Sequence, residues 1–284
     1  MTPRILIADC TPAAATAELM VFGGPSNIAM FQAALRLHEP GLDCLAFNLA
    51  DGEALPQSAT LGDFSGLVLT GSPLHIPGGG PAVMRQVEFT RAAFASGIPV
   101  WGSCWGLQLA AAALGGTVRS NPRGREIGIA RGITRTESGR AHPLLEGRPP
   151  VFEAICSHMD EVETPPPCAE VLAWNAVSGV QAMALHLPGG GTFHGTQYHP
   201  EMTLGCIAAL VTLRADVLVA EGFAESEAAM AAHAADLRAL EAAPERRDLA
   251  WRTGIGPEVL DRRRHTVELG NWLRDVVLPR SRRA

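Results

Sequence analysis

Short apolar runs alternate with segments of helical spacing along the first half of the chain, and this alternation constrains the fold more than any other feature. Arg4–Asp9 is a continuous apolar run, as expected for a parallel strand that is buried on both faces. The same reading predicts further strands at residues 43–49, 66–70 and 98–102, and helices at about 28–37 and 82–96. This order of elements is typical of an α/β protein with a doubly wound, mostly parallel open sheet flanked by helices.

The pattern changes in the second half of the chain. Residues 128–162 and 171–198 contain shorter alternating strands with Pro and Gly turns, which predict antiparallel additions to the sheet. Beyond residue 205 the sequence becomes Ala-rich and helical, with helices expected to about 220, at 225–243 and at 257–277. We therefore expect one α/β domain at residues 1–204 and a helical C-terminal extension at 205–284 that packs on it.

Composition and charge narrow the class of protein. The chain has 284 residues, of which 47% are hydrophobic, so it can bury a sizeable core. Its net charge of −6 argues against a nucleic-acid partner. No apolar run reaches the roughly 20 residues that span a bilayer, which argues against a membrane partner. Six cysteines without a C-x-x-C pair, and a start without a long apolar leader, predict a cytoplasmic protein with reduced thiols.

A glycine-flanked cysteine follows the fourth predicted strand, in Gly102-Ser103-Cys104-Trp105-Gly106, and a helical run follows at residues 107–114. A G-x-C-x-G between a strand and a helix is the cysteine counterpart of the nucleophile elbow. The flanking glycines would permit a sharp turn and keep side chains away from the sulfur. The thiol would then lie at a helix N-terminus, which favours a thiolate, and the amide of Trp105 could face a developing oxyanion. The alternative interpretation of the pentapeptide alone is a tight strand–helix turn with an incidental cysteine.

A histidine and a glutamate lie two positions apart in Gln197-Tyr198-His199-Pro200-Glu201. A cysteine nucleophile needs a base that takes its proton and later protonates the leaving group. The base needs an acceptor that fixes its tautomer. His199 and Glu201 suit these roles, because residues i and i+2 of an extended backbone point to one side. Alone, the pair is equally two solvated groups at the end of a strand.

The third predicted strand ends in Thr70-Gly71-Ser72-Pro73, where a backbone N–H could face the elbow. Alone, Gly-Ser-Pro is first of all a turn. However, all three signals fall at the carboxyl ends of predicted strands, where the sites of such sheets gather. Together they predict a catalytic triad and an oxyanion hole made of backbone amides: Cys104, His199 and Glu201 for the triad, and Gly71, Ser72 and Trp105 for the hole.

These segments resemble the class I glutamine amidotransferase family, most closely the glutaminase part of GMP synthetase and its free-standing relatives, over roughly residues 5–203. The stretch from Cys104 to Gln108 matches the family's C-x-G-x-Q, which implies that Gln108 helps to hold the glutamine-like end of the substrate. The family's R-E-x-G, S-H-x-D-x-V and S-G-G-P segments are matched at residues 125–128, 157–162 and 70–73, and the last match puts Ser72 where an amide would face the oxyanion. The resemblance implies a flavodoxin-like amidotransferase fold and a thioester mechanism without a cofactor.

Some features depart from the best-known members or stay open. Trp105 stands where Tyr or Leu is commoner, which is expected to narrow or reshape the rim of the pocket. His158, in the S-H-x-D segment, is either a contact at the pocket or between domains, or a hydrogen-bonded structural histidine. Residues 268–273 resemble the helical tail of free-standing relatives, and that tail is a lid, a dimer surface or simple packing.

Three functions remain open on this reasoning. The first is hydrolysis of the γ-glutamyl amide bond of glutamine or another γ-glutamyl compound, which releases glutamate and ammonia or an amine. The second is a glutaminase subunit that delivers ammonia to a separate synthase, and the third is a catalytically silent regulatory protein. The lack of a fused acceptor domain favours the first, and the complete triad argues against the third. The expected partners are a small γ-glutamyl molecule and, for the second function, a synthase; a homodimer is also compatible with the sequence.

Overall fold

The computed structural model of the protein describes residues 2–55, 59–187 and 190–281. The predicted domain of residues 1–204 therefore includes six residues outside this description, namely Met1, 56–58 and 188–189, and the predicted extension includes three more, 282–284. The boundary between these two predicted units, at residue 204, stays a prediction.

A nine-stranded mixed sheet and a small two-stranded sheet contain the strands of the described residues. Their bounds are β1 (Arg4–Asp9), β2 (Asp43–Asn48), β3 (Gly66–Leu69), β4 (Val100–Ser103), β5 (Thr117–Ser120), β6 (Glu126–Arg135), β7 (Val151–His158), β8 (Asp160–Thr164), β9 (Ala169–Trp174), β10 (Ala182–His186) and β11 (Thr192–Thr196).

The large sheet has the strand order β2-β1-β3-β4-β11-β10-β9-β6-β7, and β5 pairs with β8 in the small sheet. The first five strands of that order are parallel to one another, and antiparallel pairings join the remaining four to β11 and to each other. Thr196 at the end of β11 lies beside Ser103 at the end of β4. The chain therefore leaves both strands at the same edge of the sheet, which brings the two distant sequence signals together.

Helices cover both faces of the sheet and form the C-terminal part of the described chain. Their bounds are α1 (Ala13–Val21), α2 (Asn27–His38), α3 (Pro81–Ala95), α4 (Trp105–Ala113), α5 (Glu137–Ala141), α6 (Leu204–Leu213), α7 (Ala215–Ala220), α8 (Glu227–Ala242), α9 (Arg247–Thr253), α10 (Pro257–Leu260), α11 (Arg262–His265), α12 (Val267–Trp272) and α13 (Leu278–Ser281), with a π-helical turn at Leu273–Val277. Within the described part of the chain, no helix is long and apolar enough to cross a membrane.

The alternation of side chains along the parallel strands separates two hydrophobic cores. Leu6 and Ala8 of β1 pack in one core together with residues of α3 and α4. Ile5 and Ile7, on the other face of the same strand, pack with residues of α2 and α12. A strand whose two faces are both buried is continuously apolar, which explains the sequence of β1. The predicted α/β fold with a doubly wound sheet is confirmed.

The C-terminal helices pack directly against this framework. Trp272 at the end of α12 is fully buried, and its ring centroid lies 6.1 Å from that of Trp101 in β4. Leu269 and Leu273 belong to the same core. Of the three roles that the sequence left open for residues 268–273, the structure therefore places this segment in the packing of the core.

Candidate active site

Cys104 occupies a strained turn between β4 and α4. Its φ of 50° is positive, and among the described residues it is the one non-glycine with a positive φ. The backbone amide of Cys104 donates a 2.7 Å hydrogen bond to the carbonyl of Thr196, the last residue of β11. Such strain persists only where the surroundings enforce it, and it is common at functional sites. The predicted elbow is therefore present, with the cysteine itself at its strained position.

The two glycines of the elbow allow close packing of the backbone. A Cβ on Gly102 would lie 2.6 Å from the carbonyl carbon of Gly106, and one on Gly106 would collide with the carbonyl oxygen of Leu69 in β3. Neither glycine has a positive φ. Their main role thus differs from the predicted one, because they let α4 approach β3 and β4 rather than keeping side chains away from the sulfur.

His199 and Glu201 lie beside the cysteine after β11. Nδ1 of His199 is 2.7 Å from Oε1 of Glu201, and both residues are almost fully buried. With Nδ1 occupied, Nε2 is the ring nitrogen left for Cys104, whose side chain is near enough to raise the pKa of His199, while its thiol donates to the carbonyl of Ser157 at 3.7 Å. Residues 200–201 form a turn rather than the extended backbone that was expected, so the predicted pairing is present but its assumed geometry is wrong. The structure brings all three predicted triad residues together.

A hydroxyl and an indole hold the glutamate in place, and the sequence did not reveal them. Oγ of Ser103 donates a 2.9 Å hydrogen bond to Oε2 of Glu201 and accepts one of 3.0 Å from Nε1 of Trp101. A carboxylate with both oxygens engaged has a fixed orientation, and so has the imidazole bonded to it. Ser103 directly precedes Cys104. Its position as a polar residue at the end of an otherwise apolar buried strand is the sequence feature that could have indicated this role.

The electrostatics of this cluster favour an imidazolium. Burial alone lowers the pKa of His199, but the Glu201 carboxylate and the Cys104 side chain outweigh burial and raise the pKa above its ordinary value. An opposite charge at hydrogen-bonding distance favours the charged form of a histidine. Because Glu201 supplies this field, the ring can hold a proton beside the sulfur, as a thiolate–imidazolium pair requires.

The C-terminal helices hold the loop that carries His199 and Glu201. Nε2 of His265 is 3.1 Å from the carbonyl oxygen of His199, and Arg262 donates hydrogen bonds to the carbonyls of Glu201 and Met202 at 3.2 and 2.6 Å. These contacts fix the backbone of the loop from the side of α11.

A buried ion pair ties the same loop to α12. Arg148 donates to both carboxylate oxygens of Glu268, at 2.7 and 3.0 Å, and the hydroxyl of Tyr198 donates a 2.7 Å hydrogen bond to the same carboxylate. The Glu268 and Arg148 side chains are 0% and 2% exposed, so the pair is desolvated. Removing one partner from such a pair leaves an uncompensated buried charge. Tyr198 precedes His199, so this network reaches the backbone next to the ring.

Neighbouring side chains hold a backbone carbonyl in the segment after β3. Three side chains lie within hydrogen-bonding distance of the carbonyl oxygen of Gly71: the hydroxyls of Thr11 and Thr70 at 2.9 and 3.0 Å, and Nδ2 of Asn27 at 3.3 Å. The N–H of the following residue, Ser72, points away from that carbonyl because the peptide is planar and trans. Gly71 itself lies against the imidazole, since a Cβ there would be 2.9 Å from Cε1 of His199.

Trp105 and Gln108 follow the cysteine on α4. The amide of Trp105 is the first of the helix and has no intrahelical acceptor. Its indole, in contrast, is buried and donates a 2.8 Å hydrogen bond to Gln86 of α3, and Trp105 is not among the described residues that line the cavity. The expectation that Trp105 reshapes the pocket rim is therefore wrong.

Gln108 lines the cavity and donates its amide protons to Asp160 O and Gln197 Oε1, which leaves its own carbonyl oxygen for a ligand.

A cavity of about 550 Å³ opens beside Cys104 and His199. This volume is typical of small-molecule sites. Its wall includes Ser72 and Gln108, the side chains of Thr16 and Leu19 from α1, and the end of α6. Neither α1 nor the contribution of α6 was predicted, because none of the residues of α1 is buried and its sequence carries only a weak amphipathic pattern.

The R-E-x-G and S-H-x-D segments meet in a buried network. Nε2 of His158 is 2.9 Å from Glu126, which also accepts hydrogen bonds from Asn175 and Gln181 at 2.6 and 2.8 Å. His158 also lines the cavity. Both interpretations of this histidine thus apply, because it is hydrogen-bonded within the fold and it borders the cavity.

The described residues contain no group of three or more His, Cys, Asp or Glu side chains that could hold a metal ion.

The chain is similar to several known proteins. The family model "Glutamine amidotransferase class-I" matches residues 36–209. A γ-glutamyl-L-1-hydroxyisopropylamide hydrolase of a Pseudomonas species is 33% identical over 99% of this chain and 95% of its own length. A glutamine-hydrolyzing GMP synthase subunit of Methanococcus maripaludis is 32% identical over 57% of this chain and 77% of its own length. A glutamine amidotransferase structure from Methylobacillus flagellatus superposes with a TM-score of 0.66 at 22% identity, covering 97% of this chain and 96% of that one. One from Thermotoga maritima gives 0.64 at 18% identity, covering 95% and 99%.

The chain therefore belongs to the class I glutamine amidotransferase family, as the sequence motifs indicated. The two solved structures support the fold, including the helices at the C-terminus.

Proposed function

We propose that the protein hydrolyses the γ-glutamyl amide bond of a small γ-glutamyl compound through a thioester on Cys104. The observation that carries this proposal is the arrangement of Cys104, His199 and Glu201 on a cavity of small-molecule size. A cysteine next to a histidine that is oriented by a carboxylate is the arrangement that nucleophilic catalysis by a thiol requires.

The proposed reaction has two steps. The Cys104 sulfur attacks the amide carbon, the carbonyl oxygen becomes an oxyanion, and collapse of this intermediate breaks the C–N bond while His199 gives its proton to the departing ammonia or amine. Water then loses a proton to His199 and attacks the carbonyl carbon of the thioester. The C–S bond breaks, which releases glutamate and regenerates the sulfur of Cys104. Glu201 keeps the ring oriented in both steps.

The N–H groups of Trp105 and Ser72 are proposed as the oxyanion hole. Trp105 is supported by its place as the first residue of α4. Ser72 is favoured over Gly71, because three side chains hold the Gly71 carbonyl and thereby orient the Ser72 N–H in the opposite direction. Removing one such donor typically costs about 10²–10³-fold in rate.

The relatives favour a free-standing hydrolase over an ammonia-delivering subunit. Similarity to the Pseudomonas hydrolase extends over 99% of this chain and so includes the C-terminal helices, whereas the GMP synthase subunit matches 57%. These helices hold the loop of His199 and line the cavity. Delivery of ammonia to a separate synthase remains the second candidate, supported by the subunit-named relative.

The six cysteines are free thiols, which is consistent with the further proposal that the protein works in the cytoplasm.

The test is a panel of γ-glutamyl amides, including L-glutamine and N-alkyl γ-glutamylamides, offered to the isolated protein with detection of released glutamate. We expect turnover by the protein alone and an acyl adduct on Cys104 by mass spectrometry. Cys104→Ala should lower turnover by about 10⁴-fold or more, as removal of a triad member does elsewhere. The matched control is Cys168→Ala, which changes an exposed thiol and should leave activity intact.

Each competing function predicts a different result from this panel. Turnover of L-glutamine only after a synthase is added would favour the subunit. Absence of turnover and of any adduct with a glutamine-like electrophile would favour a silent regulatory protein. Near-normal activity of Cys104→Ala would show that the nucleophile is assigned wrongly.

A further inference from the structure

The junction between α6 and α7 brings an arginine from the C-terminal helices into the cavity. Arg214 ends α6 and precedes α7, and its backbone (φ −111°, ψ 23°) breaks the helix at this point. Its side chain is half-buried and lines the same cavity as Cys104 and His199. Arg214 therefore presents a cation to whatever molecule occupies the candidate active site.

The guanidinium of Arg214 differs from that of the neighbouring Arg125, which also lines the cavity. Arg125 donates two hydrogen bonds to Glu221, at 2.8 and 3.0 Å. The guanidinium of Arg214, by contrast, forms no hydrogen bond or salt bridge with any residue that the structure describes, and it feels the charges of Glu18 and Glu221 only at longer range. Burial, and then the charge of Arg125, lower the pKa of Arg214. A guanidinium carries five donors and cannot lose its proton at neutral pH, so a half-buried one without an acceptor is costly until an anion arrives.

A γ-glutamyl group offers a single anion that suits this position. Its α-carboxylate lies at the opposite end of the chain from the amide that reacts, and Arg214 lines the same cavity as Cys104. A planar guanidinium can bind both oxygens of a carboxylate.

We propose that Arg214 binds the α-carboxylate of the γ-glutamyl substrate and so selects γ-glutamyl amides over amides that lack this group. The assignment rests on the proposed hydrolase function and adds a residue from the C-terminal helices to it. Carboxylates of Glu18 and Asp160 line the same cavity. Asp160 is already bonded to His75 and Ser120, at 2.6 and 3.3 Å, so Glu18 is the carboxylate left for the α-ammonium group. The cavity therefore complements both charges of the amino acid.

The test compares γ-glutamylethylamide with its decarboxylated analogue, N-ethyl-4-aminobutanamide. We expect Arg214→Met to raise KM for γ-glutamylethylamide about 10- to 100-fold, as expected for loss of charge-assisted hydrogen bonds, with a smaller change in kcat. The same substitution should leave the slow hydrolysis of the decarboxylated analogue unchanged. Arg214→Lys, which keeps the charge but not the planar fork, should give an intermediate KM. Arg247→Met is the matched control, because Arg247 is exposed on α9 away from the cavity.

A binding measurement separates this inference from the proposed function. L-Glutamate, the expected product, is titrated into the wild type and Arg214→Met by calorimetry, with thermal unfolding as the check that the variant is folded. Glutamate binding that Arg214→Met abolishes supports the carboxylate contact even if the wild type hydrolyses no γ-glutamyl amide. Equal KM and equal glutamate affinity in the two proteins, or no glutamate binding by the wild type, would overturn it. A rise in KM in Arg214→Met that occurs only with substrates whose departing amine carries a carboxylate would also overturn the proposal. Arg214 would then contact the leaving group.

Discussion

Gly71 offers the sharpest test of the geometry around His199. A Cβ at this position would lie 2.9 Å from Cε1 of the imidazole, whereas ordinary contacts of a Cβ begin at 3.4 Å. Gly71 is not among the glycines with positive φ, so alanine can adopt its backbone conformation. Gly71→Ala therefore perturbs the site by contact with the ring and by little else.

The magnitude follows from how firmly the ring is held on its other side. Nδ1 of His199 is 2.7 Å from Glu201, and the backbone amide of His199 donates a 2.7 Å hydrogen bond to the carbonyl of Ile155. To regain an ordinary contact, the ring must retreat by about 0.5–1 Å, and a misplacement of about 1 Å can cost 10²-fold in rate. We therefore expect kcat/KM to fall about 100-fold, and the free energy of unfolding to fall by about 1–3 kcal/mol from overpacking.

The assay is glutamate release from a γ-glutamyl amide, together with urea unfolding of the same preparations. The matched control is Gly179→Ala, because Gly179 is exposed and a Cβ there would meet nothing within 4 Å. Wild-type kcat/KM in folded Gly71→Ala would refute the reasoning, since the ring would then tolerate displacement or lie elsewhere during the reaction.

Three further substitutions test the groups around the histidine. Ser103→Ala removes the donor to the Glu201 carboxylate and should lower kcat/KM about tenfold, with a loss of about 1–3 kcal/mol in the free energy of unfolding, both measured as for Gly71→Ala. Glu201→Gln removes the charge that raises the pKa of His199; the imidazolium then loses its proton at lower pH, so the alkaline limb of the kcat/KM–pH profile should move to lower pH. Glu268→Gln leaves the buried Arg148 without its counter-charge and should cost about 3–5 kcal/mol in urea unfolding.

Each of these has a clear contrary outcome. An unchanged alkaline limb in Glu201→Gln would show that the carboxylate does not set the protonation of the ring. Glu146→Gln is the control for Glu268→Gln, because Glu146 pairs with Arg274 at an exposed site and its loss should change stability little. Equal effects of these two substitutions would mean that the Arg148–Glu268 pair is not effectively buried. Wild-type activity in Ser103→Ala would leave the Ser103 hydroxyl without a role in orienting Glu201.

The sequence predicted the parallel part of the fold and the candidate triad because both depend on short-range patterns. A strand buried on both faces must be apolar throughout, so β1 and β3 were recognisable, and the elbow could be placed because it joins such a strand to a helix. The bend at residues 199–201 was assigned the wrong conformation, since Pro200 is compatible with both an extended segment and a turn.

The parts that the sequence did not reveal depend on packing between distant segments. α1 buries none of its residues, so it has no strong apolar stripe, and only the folded chain shows that it forms a wall of the cavity. In the sequence, Arg214 resembles any other arginine at the end of a helix, and only the folded chain shows that it lines the same cavity as Cys104. The side chain of Trp105 was predicted at the rim of the pocket because Trp105 follows Cys104 in the sequence. In the structure, this side chain lies in the core against α3.

The C-terminal helices link stability and catalysis in one structure. His265 and Arg262 contact the backbone carbonyls of the loop that carries His199 and Glu201, while Glu268 closes a buried ion pair next to Tyr198. Loosening α12 would therefore remove contacts that hold this loop. The tail is thus part of the support of the candidate active site, through its contacts with the loop of His199 and Glu201.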